Sequence, residues 1–288
     1  MNQVNLRRRS ILCVPAGDEH RLGKALASAA DEVVIDLEDA VALENKASAR
    51  RQLADFSWPD QTPSVTIRVN AVRTPWCHRD LEAVVGIARV RSVVVPKVES
   101  RGDLGFAERL LDGLEAEADR AEPLRIQALV ETAAGVTALA DIVSDIQRLE
   151  AVVVGYADLA ASLGRDRRLN HQAWAGVQDT VVLHARAAGV CAVDGPFIGA
   201  RDDQPFRDAV AAAAACGFDG KWVIHPRQIE AVNDGFTPAA DEVDHARRVL
   251  DALEGARLDG RGAAALGGAL VDEAMARDAR RVLAKAGV

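Results

Sequence analysis

The sequence predicts an α/β protein, a (β/α)8 barrel with a C-terminal helical lid, and three observations carry that expectation. Eight short apolar, β-branched runs recur along the 288 residues, and alanine-rich segments of helical character lie between them. Runs such as Val93 to Val95 and Val152 to Val154 are apolar without interruption, as strands covered on both faces must be. In chain order the runs are SILCVP from Ser10, EVVIDLE from Glu32, SVTIRVN from Ser64, RSVVVPKV from Arg91, LRIQALVE from Leu124, EAVVVGY from Glu150, GVCAVDG from Gly189 and GKWVIHP from Gly220. Eight such units within roughly 230 residues suit a closed barrel, whereas an open doubly wound sheet has about five or six strands. The first helix is expected to open at Asp18 as N-cap, with Leu22, Leu26 and Ala29 on one face. The barrel is placed at residues 1–238 and the lid at 239–288, the lid holding two helical patterns, EVDHARRVLDALE and EAMARDARRVLAKA, split by DGRGAAALGGALVD.

Composition narrows the function classes. A net charge of −8 argues against nucleic acid as a partner, and no apolar stretch reaches the ~20 residues of a membrane span. The single basic run, LRRRS at Leu6 to Ser10, reads as a strand-start cap at the bottom of the barrel and is too short for a signal peptide, so a soluble cytoplasmic protein is expected. Cys13, Cys77, Cys191 and Cys216 form no C-x-x-C pair and the six histidines show no zinc spacing, so any metal should be hard and oxygen-bound. Nucleotide motifs are absent: no G-x-G-x-x-G follows the first strand, and GDEHRLGKA misses the P-loop spacing.

Barrel enzymes of this class build their sites at the C-terminal strand ends. Here those ends carry Pro15, then Asp36, Glu38 and Asp39, then Arg68 and Asn70, then Lys97, Glu131, Asp158, Asp194 and His225. Several carboxylates cannot share a pocket ionised without a cation. Mg²⁺ takes only one or two protein carboxylates and fills its octahedron with other oxygens, and Glu131 with Asp158, ending consecutive strands, suit that pair. The competing reading is that these two acids merely cap the helices that follow. Arg68 alternates with Ile67 and Val69, which aims it into the barrel mouth, where a guanidinium clamps a carboxylate or stabilises an oxyanion; a purely structural ion pair is the alternative.

RSILCVPAG, DEVVIDLEDAV followed by Lys46 and Arg50, IRVN, VVVPKVE, LVETAAGV, GYADLAASLG, AVDGPF and FDGKWVIHPRQIEAVNDGFTP, taken in order, resemble the citrate lyase β-subunit-like branch of the HpcH/HpaI aldolase family, which includes malyl-CoA and citramalyl-CoA lyases. The resemblance implies a barrel, as a trimer or hexamer, that cleaves or forms a carbon–carbon bond between an acyl-CoA and a 2-oxo acid with Mg²⁺. It implies Glu131 and Asp158 as metal ligands, Arg68 at the reacting carbonyl and thioester, and Glu38 and Asp39 beside the metal, holding its waters or the substrate. Asp36 then reads as a barrel-interior residue paired with a basic neighbour. Asp272, in the lid segment GALVDEAM, matches an acid that moves a proton in the site of an adjacent subunit; its other reading is an N-cap for the last helix. Pro15, Lys24 and Asn70 are the remaining substrate-contact candidates. Cys13, His20, Ala157 and the LGG before Asp272 depart from the family pattern and leave the acyl chain open. The alternatives are a β subunit working on a citryl thioester inside a multisubunit citrate lyase, a class II pyruvate aldolase on free hydroxy-oxo acids, and a non-catalytic binding barrel.

Overall fold

In a computed structural model describing residues 7–166, 171–258 and 260–288, eight parallel strands close into a barrel in which each strand pairs with the next and β1 pairs with β8. The strands are β1 (Ser10–Pro15), β2 (Glu32–Asp36), β3 (Ser64–Arg68), β4 (Val90–Val95), β5 (Arg125–Val130), β6 (Leu149–Val154), β7 (Cys191–Asp194) and β8 (Gly220–Val223). The helices are α1 (Glu19–Leu26), α2 (Lys46–Asp55), α3 (Cys77–Val85), α4 (Arg101–Glu117), α5 (Ala133–Thr137), α6 (Leu139–Ile142), α7 (Tyr156–Leu163), α8 (Ala175–Ala188), α9 (Gln204–Cys216), α10 (Ile229–Phe236), α11 (Ala240–Leu258) and α12 (Glu273–Ala286). Each of the eight apolar runs became one barrel strand, and Asp18 caps α1 by accepting from the Arg21 amide at 3.0 Å.

Side-chain alternation sorts the barrel interior into layers. On β2, Glu32, Val34 and Asp36 share one face. Glu32 belongs to a polar floor: Arg8 donates to it at 2.6 Å and to Glu150 at 2.6 Å, while Gln127 donates to Glu32 at 2.7 Å. The basic run thus closes the N-terminal end of the barrel, and its buried charges are paired, as burial demands. Above the floor, Ile11, Val34, Val94, Leu129, Val153, Val193 and Trp222 form an apolar plug. Asp36 and Arg68 sit one step higher, at the strand ends, so everything charged above the plug is held by a rigid base.

The chain divides into two compact units, Arg8–Asn233 and a second that includes Asp234–Val288. In the second, α11 and α12 pack through Ala246, Val249, Ala256 and Ala279. The segment between them, read from sequence only as a break, forms a two-stranded antiparallel hairpin, β9 (Ala264–Leu266) and β10 (Ala269–Val271). Gly267 and Gly268 turn it, at φ +59° and +85°, the pair of left-handed residues that a tight hairpin of this hand needs.

Candidate active site

The loop after β2 is built first, because its backbone is fixed from several sides. Asp36 accepts from the amides of Glu38 at 2.8 Å and Ala40 at 3.0 Å, and from Arg68 Nε at 2.7 Å and Nη2 at 2.6 Å. One buried carboxylate therefore folds the loop and aims the guanidinium. Lys46, buried on α2, donates to the carbonyls of Leu37 at 2.9 Å and Glu38 at 3.0 Å. Asn70 Nδ2 donates to Leu37 O at 2.9 Å and to Asp80 at 2.6 Å, and Asp80 also takes the Asn70 amide at 2.8 Å and Arg50 Nη1 at 2.7 Å. Asn70, expected at the substrate, is 2% exposed with its Nδ2 spent on this brace.

Four carboxylates and two cations converge above that base. Glu38 is 4% exposed, and its Oε2 stands 3.3 Å from Arg68 Nη1 without hydrogen-bond geometry, so it has no hydrogen-bond partner. Lys97 Nζ lies 2.5 Å from Glu38, 3.3 Å from Asp39 and 3.9 Å from Asp158. The backbone amide of Lys97 donates to Glu131 Oε1 at 3.0 Å. Glu131 Oε2 occupies the space left by Gly155, where a Cβ would come within 2.4 Å of it. Neither capping alternative describes these acids: Thr132 caps α5 by accepting from Gly135, and Gly155 is the N-cap position of α7, with Asp158 inside its first turn.

Electrostatics give the cluster its meaning. Burial, then the like charges of Glu38 and Asp158, push the Glu131 carboxyl up to about 8, beyond what Arg68 and Lys97 can offset. Burial also raises Glu38, although Arg68 and Lys97 work against it. Burial opposes the charge on Lys97, but its bond to Glu38 together with the negative charges of Glu38, Glu131 and Asp39 outweighs that and holds the ammonium above its ordinary range. A carboxyl that keeps its proton near neutral pH because it is buried and two other acids face it, beside a buried carboxylate oxygen with no hydrogen bond, belongs to a donor set short of positive charge. The residues fit a divalent cation held by Glu131 and Asp158. Among the described residues no group of three or more His, Cys, Asp or Glu forms a metal cage.

The other expected residues are spread more widely. Pro15 ends β1 at the same end of the barrel, and Trp222 places its ring 5.9 Å from the Arg68 guanidinium. Lys24 is exposed in the last turn of α1. Asp272 is the exposed N-cap of α12, and both amides it accepts, from Ala274 at 2.9 Å and Met275 at 3.2 Å, fall on Oδ1. Lys97 is the residue sequence reasoning passed over: it was placed at a strand end and given no task. The signal available was its position beside Pro96, directly after an apolar run, at the level of the acids.

The HpcH/HpaI aldolase/citrate lyase family model matches residues 9–226. The chain is similar to the L-malyl-CoA/beta-methylmalyl-CoA lyase of Rhodobacter capsulatus, 34% identical over 286 residues that cover 91% of this chain and 89% of the relative. It is also similar to the (3S)-malyl-CoA thioesterase of Cereibacter sphaeroides strain KD131, 37% identical over 287 residues that cover 96% of this chain and 94% of the relative. Among solved structures, CitE of Mycobacterium tuberculosis in complex with magnesium, acetoacetate and coenzyme A superposes with a TM-score of 0.78 at 32% identity, covering 99% of this chain and all of that one.

Proposed function

The chain belongs to the HpcH/HpaI aldolase/citrate lyase family, and from that premise we propose that it is a Mg²⁺-dependent carbon–carbon lyase acting on a 3-hydroxyacyl-CoA such as malyl-CoA or citramalyl-CoA. The products are an acyl-CoA, acetyl-CoA in these cases, and a 2-oxo acid, glyoxylate or pyruvate. The observation that carries the reading is the buried Glu131 carboxyl, raised to about 8, facing Asp158 and Glu38 at the C-terminal end of the barrel, with Arg68 and Lys97 beside them.

Glu131 and Asp158 would hold the magnesium ion, which would supply Lewis acidity at the substrate's oxygens. Glu38 and Asp39 would orient the water and substrate oxygens beside that pair, and the hydroxyl proton would pass to one of these carboxylates directly or through a water. Cleavage breaks the bond between the α and β carbons, and its electron pair passes into the thioester as an enolate. Arg68 faces that developing charge, and because Asp36 holds Nε and Nη2, the group left to donate is Nη1, a contribution of about 3–4 kcal/mol for one well-aimed donor. Asp272 of an adjacent subunit is assigned to deliver the proton to the α carbon; its Oδ2 is not used by the helix cap, so capping and proton transfer are compatible. Pro15 and Lys24 are assigned to substrate contact and Asn70 to holding the Leu37 carbonyl. The assembly is assigned as a homotrimer or hexamer in the cytoplasm; no described helix is long and apolar enough to cross a membrane.

A second reading, thioester hydrolysis, is favoured by the 37% identity to a (3S)-malyl-CoA thioesterase. Incubation with Mg²⁺ and a panel of malyl-CoA and citramalyl-CoA isomers, with an EDTA control and mass spectrometry of the products, separates the two. EDTA-sensitive acetyl-CoA with glyoxylate or pyruvate supports the lyase; free CoA with intact malate or citramalate supports the hydrolase.

A further inference from the structure

Lys97 occupies a position that its own backbone resists. It follows β4 with φ at +52°, in the left-handed region that a lysine adopts only when its surroundings hold it there. Two sets of contacts do so, one from each end of the residue. Its amide donates to Glu131 Oε1, and its ammonium reaches Glu38 at 2.5 Å, Asp39 at 3.3 Å and Asp158 at 3.9 Å. The single strained conformation therefore touches all four acids of the cluster. Arg68, the other nearby cation, has two of its three nitrogens on Asp36 and approaches only Glu38.

We infer that Lys97 is a built-in counterion that neutralises the Glu38–Asp39–Asp158 carboxylates in the cation-free protein and competes with the divalent ion for them. The inference rests on the assignment of Glu131 and Asp158 as the metal pair. An ammonium within 3.9 Å of Asp158 stands where a cation on that carboxylate repels it, so loading the metal requires Lys97 to give up Asp158 and retain Glu38 and Asp39. With its side chain 35% exposed, Lys97 has room for that movement, whereas Glu38 and Glu131, at 4% and 2%, are fixed. Metal affinity is thus set partly by what the ion must displace. The lysine weakens binding, and in exchange keeps the acids in place before the metal arrives.

The test is a calorimetric Mg²⁺ titration of the full chain and of Lys97→Met, Lys97→Asn and Lys97→Arg. Methionine keeps the methylenes without the charge; asparagine tolerates the left-handed backbone and is the second neutral variant should methionine disturb folding. The expected result is Mg²⁺ binding roughly tenfold tighter or more in both neutral variants, near-native affinity in Lys97→Arg, and a lower melting temperature of the neutral variants in the absence of metal only. A lysine needed only to hold the loop predicts the opposite, a loss of Mg²⁺ affinity in both neutral variants, and that result or unchanged affinity overturns the inference. No Mg²⁺ binding by the unaltered chain overturns the metal assignment itself, and is told apart because it appears before any substitution.

Discussion

Replacing Gly155 with alanine perturbs the acid cluster at a single atom. The new Cβ lies 2.4 Å from Glu131 Oε2 and 2.5 Å from Glu131 Cβ, about 1.0 Å short of the 3.4 Å at which ordinary contact begins. Rotation of the carboxylate relieves the first clash but not the second, because the Glu131 Cβ is fixed to the backbone at the end of β5. The φ of Gly155, −107°, is open to alanine, so the effect is steric and not conformational. Overpacking of this kind costs about 1–3 kcal/mol, which for a unit of this size lowers the melting temperature by roughly 2–12 °C. A metal ligand displaced on that scale should lose at least about tenfold in Mg²⁺ affinity, ~1.4 kcal/mol, and about 10²-fold in turnover. Thermal melts without metal, calorimetry with Mg²⁺ and turnover of the thioester give the three numbers. Native Mg²⁺ affinity and native turnover in Gly155→Ala would refute the placement of Glu131 at the metal.

Further outcomes follow from the same geometry. Asp80→Ala leaves the Arg50 guanidinium and two Asn70 donors without their acceptor in a fully buried place, so a loss of about 3–5 kcal/mol is expected in urea denaturation, and a loss below about 1 kcal/mol contradicts the brace. The pH dependence has a definite sign. The Glu131 carboxyl, raised by burial and by Glu38 and Asp158 from 4.5 to about 8, makes the metal-free fold most stable below the unfolded value and progressively less so as pH climbs between the two. Mg²⁺ requires the ionised form, so its affinity should rise over that window with release of up to one proton per ion; calorimetry in buffers of different ionisation enthalpy counts that proton, and pH-independent affinity between about pH 6 and 8 speaks against it. Asp36→Asn weakens both the turn to Ala40 and the anchor of Arg68, and turnover should fall by about 10²-fold with Mg²⁺ affinity largely kept; equal loss of both in calorimetry and kinetics would show that Asp36 serves the metal instead.

The barrel was legible because fully covered parallel strands must be apolar along their whole length, and that signal is local. The site was legible to the extent that strand ends lie together in any closed barrel, so Glu38, Asp39, Glu131 and Asp158 meet by topology alone. What they do to one another was not. Asp36 was expected to pair with some basic neighbour and Arg68 to serve the substrate; the structure makes each the answer to the other, and only Nη1 of Arg68 remains uncommitted to Asp36. Lys97 carries a left-handed backbone that no rule for lysine anticipates, since the acids that hold it come from strands far away in sequence. The Asn70–Asp80–Arg50 brace joins a strand end to two helices and has no periodicity to betray it. The β9–β10 hairpin hid because its three-residue, alanine-rich strands hold a single β-branched residue, Val271, leaving the paired glycines as its clearest marker.

The most direct test of the central claim is to run the reaction in D₂O with Mg²⁺ and (3S)-malyl-CoA and weigh the products. Carbon–carbon cleavage through a thioester enolate predicts acetyl-CoA carrying one deuterium on its methyl carbon, together with glyoxylate, and predicts that Asp158→Ala forms neither. Free CoA and intact malate, with no acetyl-CoA, would contradict the account and make the protein a thioester hydrolase.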